Sequence, residues 1–440
     1  MIDIKQIREN PEKFKKAAKD KRIDVNIDYL LKVDARISEA KKKLQDIATE
    51  KNRIGKSIPT LSEDEKKSAL DKLAELKKEE ANLTAKTLIS DQPEFRDLML
   101  KVPQPADEDV SVGKDETENV EIRREGKIRQ FDFEPKDHVQ LGLALGIIDI
   151  ERGVKLAGTR NYILKGDGAL LHWAVLRFAM DFMVDKGYVP FSVPILAKDD
   201  TMTGTGFFPG FEDQTYRMEK DQLNLAGTAE VPLTAYHMGE ILSADELPLK
   251  YVALSSCFRR EAGAAGKDTY GLYRIHQFDK VEQVVICENS VEQSNKFHDE
   301  ILANSEAVMQ ALELPYRVVN VCTGDLGRGQ AKKFDIEAWM PSRGNYCETH
   351  SASKLYEFQA RRMNLRYRRQ KTEDRGQKGK SEINFCHTLN NTVAASPRIL
   401  IPILELYQNS DGSITVPKVL RPYMNGKAKI TKCECRGLNG

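Results

Sequence analysis

The stretch from Phe258 to Glu282 combines side chains that could bind and neutralise an anionic ligand. It reads FRREAGAAGKDTYGLYRIHQFDKVE, an arginine and a carboxylate, then a loop of small residues, then an alternating run. This order predicts two antiparallel strands joined by a Gly/Ala turn, because successive side chains of a strand point to opposite faces. One predicted face carries Arg259, Glu261, Arg274, His276, Phe278, Lys280 and Glu282. Buried ions are costly unless they are paired or bind a ligand, so this face is either a ligand site or a solvated surface.

Two other stretches have residue types suited to ligand binding. In GTAEVPLT at 227–234, small residues let the backbone approach a ligand, Thr228 offers a hydroxyl and Glu230 offers a charge. Between Thr203 and Gly210 the chain is rich in glycine but lacks the Lys-Ser/Thr ending of a phosphate-binding loop. We interpret this segment as a mobile loop that closes over the site, with a surface turn as the alternative.

The motif at 257–282, with FRxE and then HQFDKVE, resembles motif 2 of the class II aminoacyl-tRNA synthetases, in the form found in seryl-tRNA synthetases. The segment at 227–234 resembles the serine-facing TxE loop of that family. DIEAWMPSRGNYCETHSASKLYEFQARRMNLRYR at 335–368 resembles its metal and ATP segment, and TLNNTVAASPRILIPILELYQ at 388–408 resembles its motif 3. A single motif is weak evidence, but four occur in the family order, and the resemblance covers almost the whole chain.

The resemblance implies ATP-dependent activation of L-serine, with Mg²⁺, and transfer to the 3′ end of tRNA(Ser), with tRNA(Sec) as a further candidate acceptor. Activation brings the serine carboxylate against the α-phosphate of ATP. Because these two anions repel, the site needs cations and positioning more than covalent chemistry. Arg259 is the predicted bridge between them, since a guanidinium presents paired donors to oxyanions.

The site residues implied by the resemblance fall into overlapping groups. The predicted catalytic residues are Arg259, Glu261 and Arg398. The predicted serine-binding residues are Thr228, Ala229, Glu230, Glu282 and Thr392. The predicted ATP-binding residues are Arg259, Arg260, Glu261, Ile275, Phe278, Glu348, Thr349, His350, Ser351 and Arg398. Glu348 and Ser351 are also the predicted metal ligands, since Mg²⁺ prefers oxygen donors.

Within the ATP group the resemblance implies separate contacts. Glu261 and the backbone near Ile275 would hold the adenine edge, and Phe278 would stack on the purine face. Arg398, which closes motif 3, would bind the γ-phosphate. No cysteine or histidine matches a catalytic position of the family, so no covalent enzyme intermediate is expected.

These side chains must be positioned by a domain that follows a long helical region. From about Val25 to Leu100 the sequence is mostly Lys, Glu, Asp, Ala and Leu. The apolar positions that alternate at three and four residues are Ile37, Leu44, Ile47, Ile54 and Ile58, then Leu73, Leu76 and Leu83. Pro59 ends the first helix, and Ser62 with Glu65 forms a capping box for the second. The pattern predicts an antiparallel coiled-coil arm, which by itself could serve oligomerisation or RNA binding.

The predicted fold is α+β, an antiparallel-sheet class II synthetase catalytic domain preceded by a long antiparallel helical coiled-coil arm. Its predicted domains are an N-terminal tRNA-binding domain at 1–101, a linker at 102–118 and a catalytic domain at 119–440. The linker is rich in proline and acidic residues. Motif 1, a long helix and a strand at about 169–196, is the surface through which the resemblance implies a homodimer.

Composition limits the other possibilities. The net charge is +1 over 440 residues, so a nucleic-acid surface must be a local patch. The seven cysteines are irregularly spaced, and no signal peptide precedes them, which predicts a cytoplasmic protein. Cys433 and Cys435 have poor zinc spacing and are interpreted as part of a frayed tail. No run of 18 apolar residues occurs, so no membrane span is expected.

Some positions depart from the family pattern. HSASKL stands at 350–355 where relatives usually read SSCSNC, and Ser396-Pro397 precedes Arg398 in place of a flexible pair. Two alternatives remain open: a paralogue that loads a carrier protein, and a non-catalytic RNA-binding protein on the same fold. The intact N-terminal arm argues against the first, and retention of the predicted site residues argues against the second.

Overall fold

The computed structural model divides into two compact units, Met1–Pro105 and Ala106–Gly440, which are described separately. The described residues are 1–87, 91–263, 270–370 and 381–432. Three stretches lie wholly or partly outside the described residues. They are the small-residue loop of motif 2, the hydrophilic segment RQKTEDRGQKGKS at 369–381, whose composition predicts a loop, and the Cys433/Cys435 pair.

The first unit is helical. Its helices are α1 (Ile4–Glu9), α2 (Pro11–Asp20), α3 (Ile27–Ser57), α4 (Glu63–Lys86) and α5 (Gln92–Lys101). The side chain of Asn10 caps α2 by accepting the backbone N–H of Lys13 at 3.1 Å, and Pro11 is the first helical residue. α3 contacts α2 and α5, and Leu30 and Val33 near its start are buried.

The two long helices form the predicted antiparallel pair. They contain 31 and 24 residues and are separated by a short 3-10 turn that includes Pro59. The predicted capping box is confirmed, because the backbone N–H of Ser62 donates to the Glu65 carboxylate at 2.9 Å. Pro59 therefore follows the end of α3, and the Ser62–Glu65 capping box begins α4, as predicted.

The seam between α3 and α4 is narrow. Ile37, Ile47 and Ile54 are buried on α3, whereas no side chain of α4 is fully buried. Lys51 interrupts the apolar pattern and pairs across the seam with Glu80, with an N···O distance of 2.6 Å. Because so little apolar area is removed from water, most of the surface of this helical pair stays hydrated.

The second unit is built on an eight-stranded sheet. Its strands are β1 (Val120–Glu125), β4 (Val189–Phe191), β9 (Leu249–Phe258), β10 (Gln277–Cys287), β11 (Tyr316–Asn320), β12 (Lys332–Met340), β13 (Asn345–Tyr356) and β16 (His387–Ser396). They lie in the order β1-β11-β12-β13-β16-β10-β9-β4. Neighbours in this sheet are antiparallel except β4 and β9, which are parallel. This architecture confirms the predicted antiparallel sheet.

Smaller sheets and helices surround it. The other strands are β2 (Ile148–Asp149), β3 (Ile163–Leu164), β5 (Leu196–Lys198), β6 (Arg217–Met218), β7 (Leu223–Leu225), β8 (Ile241–Ser243), β14 (Arg366–Arg369), β15 (Glu382–Phe385), β17 (Ile414–Thr415) and β18 (Lys429–Ile430). The helices are α6 (His138–Leu145), α7 (Ile150–Ala157), α8 (Asp167–Asp185), α9 (Asp199–Thr205), α10 (Glu230–Thr234), α11 (Val291–Ala311), α12 (Phe358–Met363) and α13 (Leu400–Leu406). The largest core cluster joins α8, α11 and α13 to the sheet. Within the described ranges, no helix is long and apolar enough to cross a membrane.

The structure corrects two expected strands. Residues 119–134 alternate in the pattern typical of a strand, but the strand there, β1, ends at Glu125. The run at 187–196 is divided between β4 and β5, which belong to different sheets, and Pro194 lies between them. β4 ends at Phe191, and Pro194 has no backbone N–H to donate to a continuing strand.

The segment from Thr203 to Gly210 was expected to be a loop, but its first residues are helical. They complete α9, and Gly204 and Thr205 are buried. The Arg362 guanidinium donates hydrogen bonds to the carbonyls of Thr203 and Phe208, at 3.0 and 2.9 Å. The segment is therefore held in place by side-chain contacts.

From Ala106 onwards, the predicted linker is part of the second unit. The backbone N–H of Asp107 donates to the carbonyl of Ala331 at 2.9 Å. Val110 is buried against Val319 and Val321 on and next to β11. These contacts explain why the structural boundary falls after Pro105.

Candidate active site

A cavity of about 170 Å³ opens on one face of the large sheet. The strand residues that line it are Phe278, Lys280 and Glu282 of β10, Glu348, Thr349, Ser351 and Ser353 of β13, and Asn390 and Thr392 of β16. Alternation along β10 sends Val281 and Val285 into the core on the other face. Charged side chains therefore project from a well-packed sheet into one small space.

At one end of the cavity two buried charges form a pair. Glu282 is 2% exposed, Lys280 is 6% exposed, and the Lys280 Nζ lies 2.6 Å from a carboxylate oxygen of Glu282. The hydroxyl of Thr392 lies 3.4 Å from the same carboxylate. Each partner offsets the cost of burying the other, and the remaining carboxylate lone pairs can accept a ligand hydroxyl.

The loop before α10 brings a second carboxylate to this end. The hydroxyl of Thr228 accepts the backbone N–H of Glu230 at 3.1 Å, and both residues line the cavity. Burial, and then the nearby charge of Glu282, raise the pKa of Glu230 to about 7. A cationic ligand beside Glu230 would favour its ionised form.

An arginine follows the end of β9. The Arg259 guanidinium lies 5.3 Å from the ring centroid of Phe278, and both side chains line the cavity. Within the described part of the chain, Arg259 forms no ion pair. Its donors are therefore available to an anionic ligand.

Glu261 lies in the segment between β9 and β10 and has a backbone φ of 52°. This left-handed conformation is uncommon for a residue with a side chain and is typical of functional sites. The Glu261 carboxylate pairs with Arg274 at 2.7 Å. Ile275, which is 6% exposed, lines the same part of the cavity.

The predicted hairpin is correct in its pairing but wrong in its extent. β9 ends at Phe258 and β10 begins at Gln277, so the charged residues between them lie in a connecting segment. His276 of that segment does not line the cavity; its Nδ1 lies 3.0 Å from the carbonyl oxygen of Arg259.

A β-bulge in β13 sets the direction of the predicted metal ligands. Glu337 of β12 pairs with Glu348, and the preceding residue pairs with His350, so Thr349 is an extra residue in β13. Glu348 and Ser351 consequently reach the cavity although they are three residues apart. Without the bulge, residues three apart would face opposite sides of the sheet.

Arg398 lies between β16 and α13 and lines the cavity. Its Nη1 donates to the backbone carbonyl of Glu348 at 3.1 Å and lies 3.8 Å from the Glu348 carboxylate. Its Nε donates to the carbonyl of Tyr273 at 3.2 Å, and its guanidinium stands 4.4 Å from the Tyr273 ring centroid. These contacts fix a second cation in the cavity that Arg259 also lines.

The chain has clear relatives over both units. Residues 1–105 match the family model described as the seryl-tRNA synthetase N-terminal domain, and residues 212–407 match the tRNA synthetase class II core domain (G, H, P, S and T). A serine-tRNA ligase of Deinococcus radiodurans is 44% identical over 97% of this chain and 98% of its own. The chain belongs to the seryl-tRNA synthetase family.

Solved structures of the seryl-tRNA synthetase family agree with the whole fold. A seryl-tRNA synthetase of Pyrococcus horikoshii, complexed with ATP, is 37% identical with a TM-score of 0.90, covering 99% of this chain and all (100%) of its own. A cytoplasmic serine-tRNA ligase of Naegleria fowleri, in complex with AMP, is 33% identical with a TM-score of 0.84 and covers 96% of each chain.

The cavity contains most of the residues that the resemblance to this family predicted. Those that line it are Arg259, Glu261, Arg398, Thr228, Glu230, Glu282, Thr392, Ile275, Phe278, Glu348, Thr349 and Ser351. Ala229 is fully buried behind the loop and packs in the cluster that includes Leu233. Its small side chain belongs to the support of the loop and does not line the cavity.

Two residues predicted to bind ATP lie outside the cavity. Arg260 points away from it and donates to the carbonyl of Asp213 at 3.3 Å. The bulge turns His350 into the protein, where its Nε2 lies 3.1 Å from the carbonyl oxygen of Val393. Burial lowers the pKa of His350 to about 4, so it is neutral and cannot serve as a cation for phosphate.

The donors at the family's metal position fit Mg²⁺. Loss of hydration raises the pKa of Glu348, but Arg398 and Lys333 outweigh this effect and hold the pKa below its usual value. Glu348 thus offers an ionised carboxylate beside the Ser351 hydroxyl, and both are hard oxygen donors. The described residues contain no group of three His, Cys, Asp or Glu side chains that could hold a metal ion.

No role was predicted for the other residues that line the cavity. They are Phe207, Leu272, Tyr273, Arg274, Lys280, Gln330, Ser353, Asn390 and Ala395. Lys280 and Arg274 were on the predicted charged face, which was the available signal for them. Of the others, only Gln330 lies outside the motifs and the 203–210 segment, so the sequence marked their regions but not the individual side chains.

Proposed function

We propose that the protein uses ATP to activate L-serine as seryl-adenylate and then transfers the seryl group to the 3′ end of tRNA(Ser). The observation that carries this proposal is the convergence of Glu230, Glu282, Arg259 and Arg398 in one small cavity. Membership of the seryl-tRNA synthetase family supports the same reaction. The roles assigned below to individual side chains belong to this proposal.

In the activation step, little covalent chemistry is required of the protein itself. A serine carboxylate oxygen bonds to the α-phosphorus of ATP, and the bond from that phosphorus to the bridging oxygen breaks to release pyrophosphate. Arg259 holds the two reacting anions together, and Arg398 binds the γ-phosphate. Bound by Glu348 and Ser351, Mg²⁺ would neutralise charge between the phosphates.

Serine is selected at the end of the cavity that contains Glu230 and Glu282. Glu230 pairs with the ammonium group, while Glu282 and Thr392 hydrogen-bond the hydroxyl. Alanine would leave these polar groups unpaired, so it is rejected by lost hydrogen bonds. Threonine is excluded by crowding, because its extra methyl group would have to fit beside the packed Lys280–Glu282 pair.

Transfer to tRNA depends on positioning. No histidine or cysteine lines the cavity within the described residues. We assign the proton of the tRNA 3′ adenosine hydroxyl to the phosphate of the adenylate, which leaves as AMP when the ester forms. Residues of the protein hold the two reactants in place.

The helical pair α3 and α4 would bind the tRNA backbone. Many of its cations are already used in ion pairs, such as Lys51 with Glu80 and Lys72 with Glu50. On these two helices, the exposed lysines without an ion pair in the described residues are Lys32, Lys41, Lys42, Lys56, Lys67, Lys77, Lys78 and Lys86. These eight are the best candidates for phosphate contacts, because their charge is not neutralised by the protein.

Charging assays test this function against its alternatives. The purified protein should esterify serine to tRNA(Ser), and the same assay with tRNA(Sec) decides whether that tRNA is a second acceptor. A protein that forms seryl-adenylate but loads only a carrier protein would be the paralogue. A protein that binds tRNA(Ser) without forming adenylate would be the RNA-binding alternative.

Substitution of Glu282 should affect serine more than ATP. We expect Glu282→Gln to raise the serine KM about tenfold or more while the ATP KM changes little, because a hydrogen bond to a charged group contributes about 1.5–3 kcal/mol. Glu282→Ala should have the same selectivity and also lower stability, since it leaves Lys280 buried without its partner. Equal effects on both KM values would assign Glu282 a general structural role.

The protein should be a homodimer through the motif 1 region. Trp173 on α8 is 61% exposed and Val189 on β4 is 53% exposed, so this region presents apolar side chains to solvent. Light scattering at micromolar concentration should give twice the monomer mass, and Trp173→Asp should shift the protein towards monomer. An active wild-type monomer at that concentration would contradict the prediction.

The cytoplasm is the proposed location. The described cysteines, Cys257, Cys287, Cys322, Cys347 and Cys386, are all free thiols. Free thiols are typical of proteins in a reducing compartment.

A further inference from the structure

Glu230 is held from behind by a residue of α12 that does not line the cavity. Gln359 is 0% exposed, and its Nε2 donates to Oε1 of Glu230 at 2.8 Å. No hydrogen bond to the other oxygen of Glu230 occurs within the described residues. That oxygen is therefore the one left to a ligand in the cavity.

The remaining contacts of Gln359 fix the orientation of its amide. The hydroxyl of Thr388 on β16 donates to Oε1 of Gln359 at 2.7 Å. The Gln359 Nε2 also donates to the carbonyl of Thr205 at the end of α9, at 2.9 Å. Both acceptors of Nε2, a carboxylate and a carbonyl, require an N–H donor, so the amide cannot be flipped.

Gln359 thus connects three segments that form the serine end of the cavity. Thr205 leads directly to Phe207, which lines the cavity, and Glu230 begins α10. Thr388 lies on the same strand as Thr392, the proposed partner of the serine hydroxyl. One buried amide therefore sets the relative positions of groups that would surround the substrate.

We propose that Gln359 is a positioning residue for serine recognition, because it fixes the Glu230 carboxylate and stabilises its ionised form. The inference rests on the proposed function, in which Glu230 binds the ammonium group of serine. It assigns to Gln359 a task that neither the cavity lining nor the motif pattern indicates.

The charges around Glu230 make the hydrogen bond from Gln359 important. Glu282, on β10, opposes ionisation of Glu230, whereas Lys280 of the same strand and Arg259 after β9 favour it. Burial and Glu282 prevail and raise the pKa of Glu230 to about 7, even with the Gln359 hydrogen bond that lowers it. Loss of that hydrogen bond should raise the pKa further, so a smaller fraction of Glu230 is ionised at neutral pH.

The test compares three full-length variants with wild type in ATP–pyrophosphate exchange between pH 6 and 8.5. Gln359→Glu keeps the size of the side chain and its acceptor for Thr388 but replaces the donor facing Glu230 with a second carboxylate. Gln359→Met removes both the donor to Glu230 and the acceptor for Thr388. We expect either substitution to raise the serine KM about tenfold or more at pH 7, with the ATP KM within about twofold.

The pH profile distinguishes positioning from general stability. In wild type, kcat/KM for serine should fall as the pH drops through about 7, because Glu230 becomes protonated. In both Gln359 variants this acidic limb should move to higher pH, and raising the pH should recover part of the lost activity.

Gln408→Met is the matched control. Gln408 is also buried, and its Nε2 donates to the carbonyls of Lys136 and Glu405, at 2.9 and 2.8 Å, away from the cavity lining. Gln408→Met should lower the melting temperature without moving the acidic limb or the serine KM. The same behaviour from Gln359→Glu would overturn the proposal, as would a parallel rise of the serine and ATP KM values. Absence of serine-dependent exchange in wild type would instead contradict the proposed function itself.

Discussion

Arg259→Ala should reduce serine-dependent ATP–pyrophosphate exchange by about 100-fold or more without unfolding the protein, because roughly 3 kcal/mol of transition-state stabilisation is lost. Arg259 forms no ion pair within the described residues, so its removal leaves no partner charge unpaired in the free protein. Its contact with the Phe278 ring is the interaction that the folded chain loses. The effect should therefore appear in kcat/KM far more than in the melting temperature.

The neighbouring arginine provides a control of the same chemistry. Arg260 carries the same charge but donates to the Asp213 carbonyl outside the cavity. Arg260→Ala should keep exchange within about threefold of wild type. Near-normal exchange in Arg259→Ala, or equal losses in the two variants, would contradict the assignment of Arg259 to the reacting anions.

Removal of the outer part of the α3–α4 pair should separate adenylate formation from tRNA charging. Lys43 and, from α4, Lys86 lower the pKa of Glu39, so the two helices are adjacent at this level. Deleting residues 41–84 and joining the ends by a short Gly-Ser linker keeps the base of α3, where Leu30 and Val33 are buried. Exchange should stay within about twofold, while kcat/KM for tRNA(Ser) falls on the order of 10³-fold as phosphate contacts are lost.

Charge substitutions refine that experiment without a deletion. Changing Lys41 and Lys42 to glutamate should weaken charging and reduce its dependence on salt. Changing Lys51, which already pairs with Glu80, to glutamine should have a smaller effect on charging. Loss of exchange together with charging would show that the helical pair supports the catalytic unit. Retention of both would place tRNA binding elsewhere in the protein.

The helical region could be predicted in detail because its signals are local. Pro59, the Ser62–Glu65 capping box and the three-and-four spacing of Ile37, Ile47 and Ile54 act over one or two helical turns. The pairing of β9 with β10 was also predictable, since alternation and a small-residue turn lie within one short stretch. The sequence did not predict that both strands stop short of the charged residues between them, because charged residues suit a connecting segment as well as a strand.

The direction of individual side chains depends on features that alternation does not reveal. Thr349 is an extra residue in β13, and this single bulge sends Ser351 into the cavity and His350 into the core. The resemblance placed both in the ATP site because it transfers roles by position along the chain. A bulge arises from pairing with β12, a neighbour that the local sequence does not specify.

Contacts between side chains that depend on distant parts of the chain could not be predicted from the sequence either. The sequence places Lys280 and Glu282 on one strand face, but their pairing requires burial of both by other segments. Gln359 contacts Glu230, which is 129 positions away in the chain. Such contacts are created by the tertiary fold, so they appear only once the sheet and its surrounding helices are assembled.

The most direct test of the account is ATP–pyrophosphate exchange by the wild-type protein, measured separately with each of the standard amino acids. Its central claim is that the cavity carrying Glu230, Glu282 and Arg259 activates serine. The account predicts rapid exchange with serine and only background exchange with alanine, which lacks the hydroxyl, and with threonine. No exchange with serine, or a higher kcat/KM for any other amino acid, would contradict it.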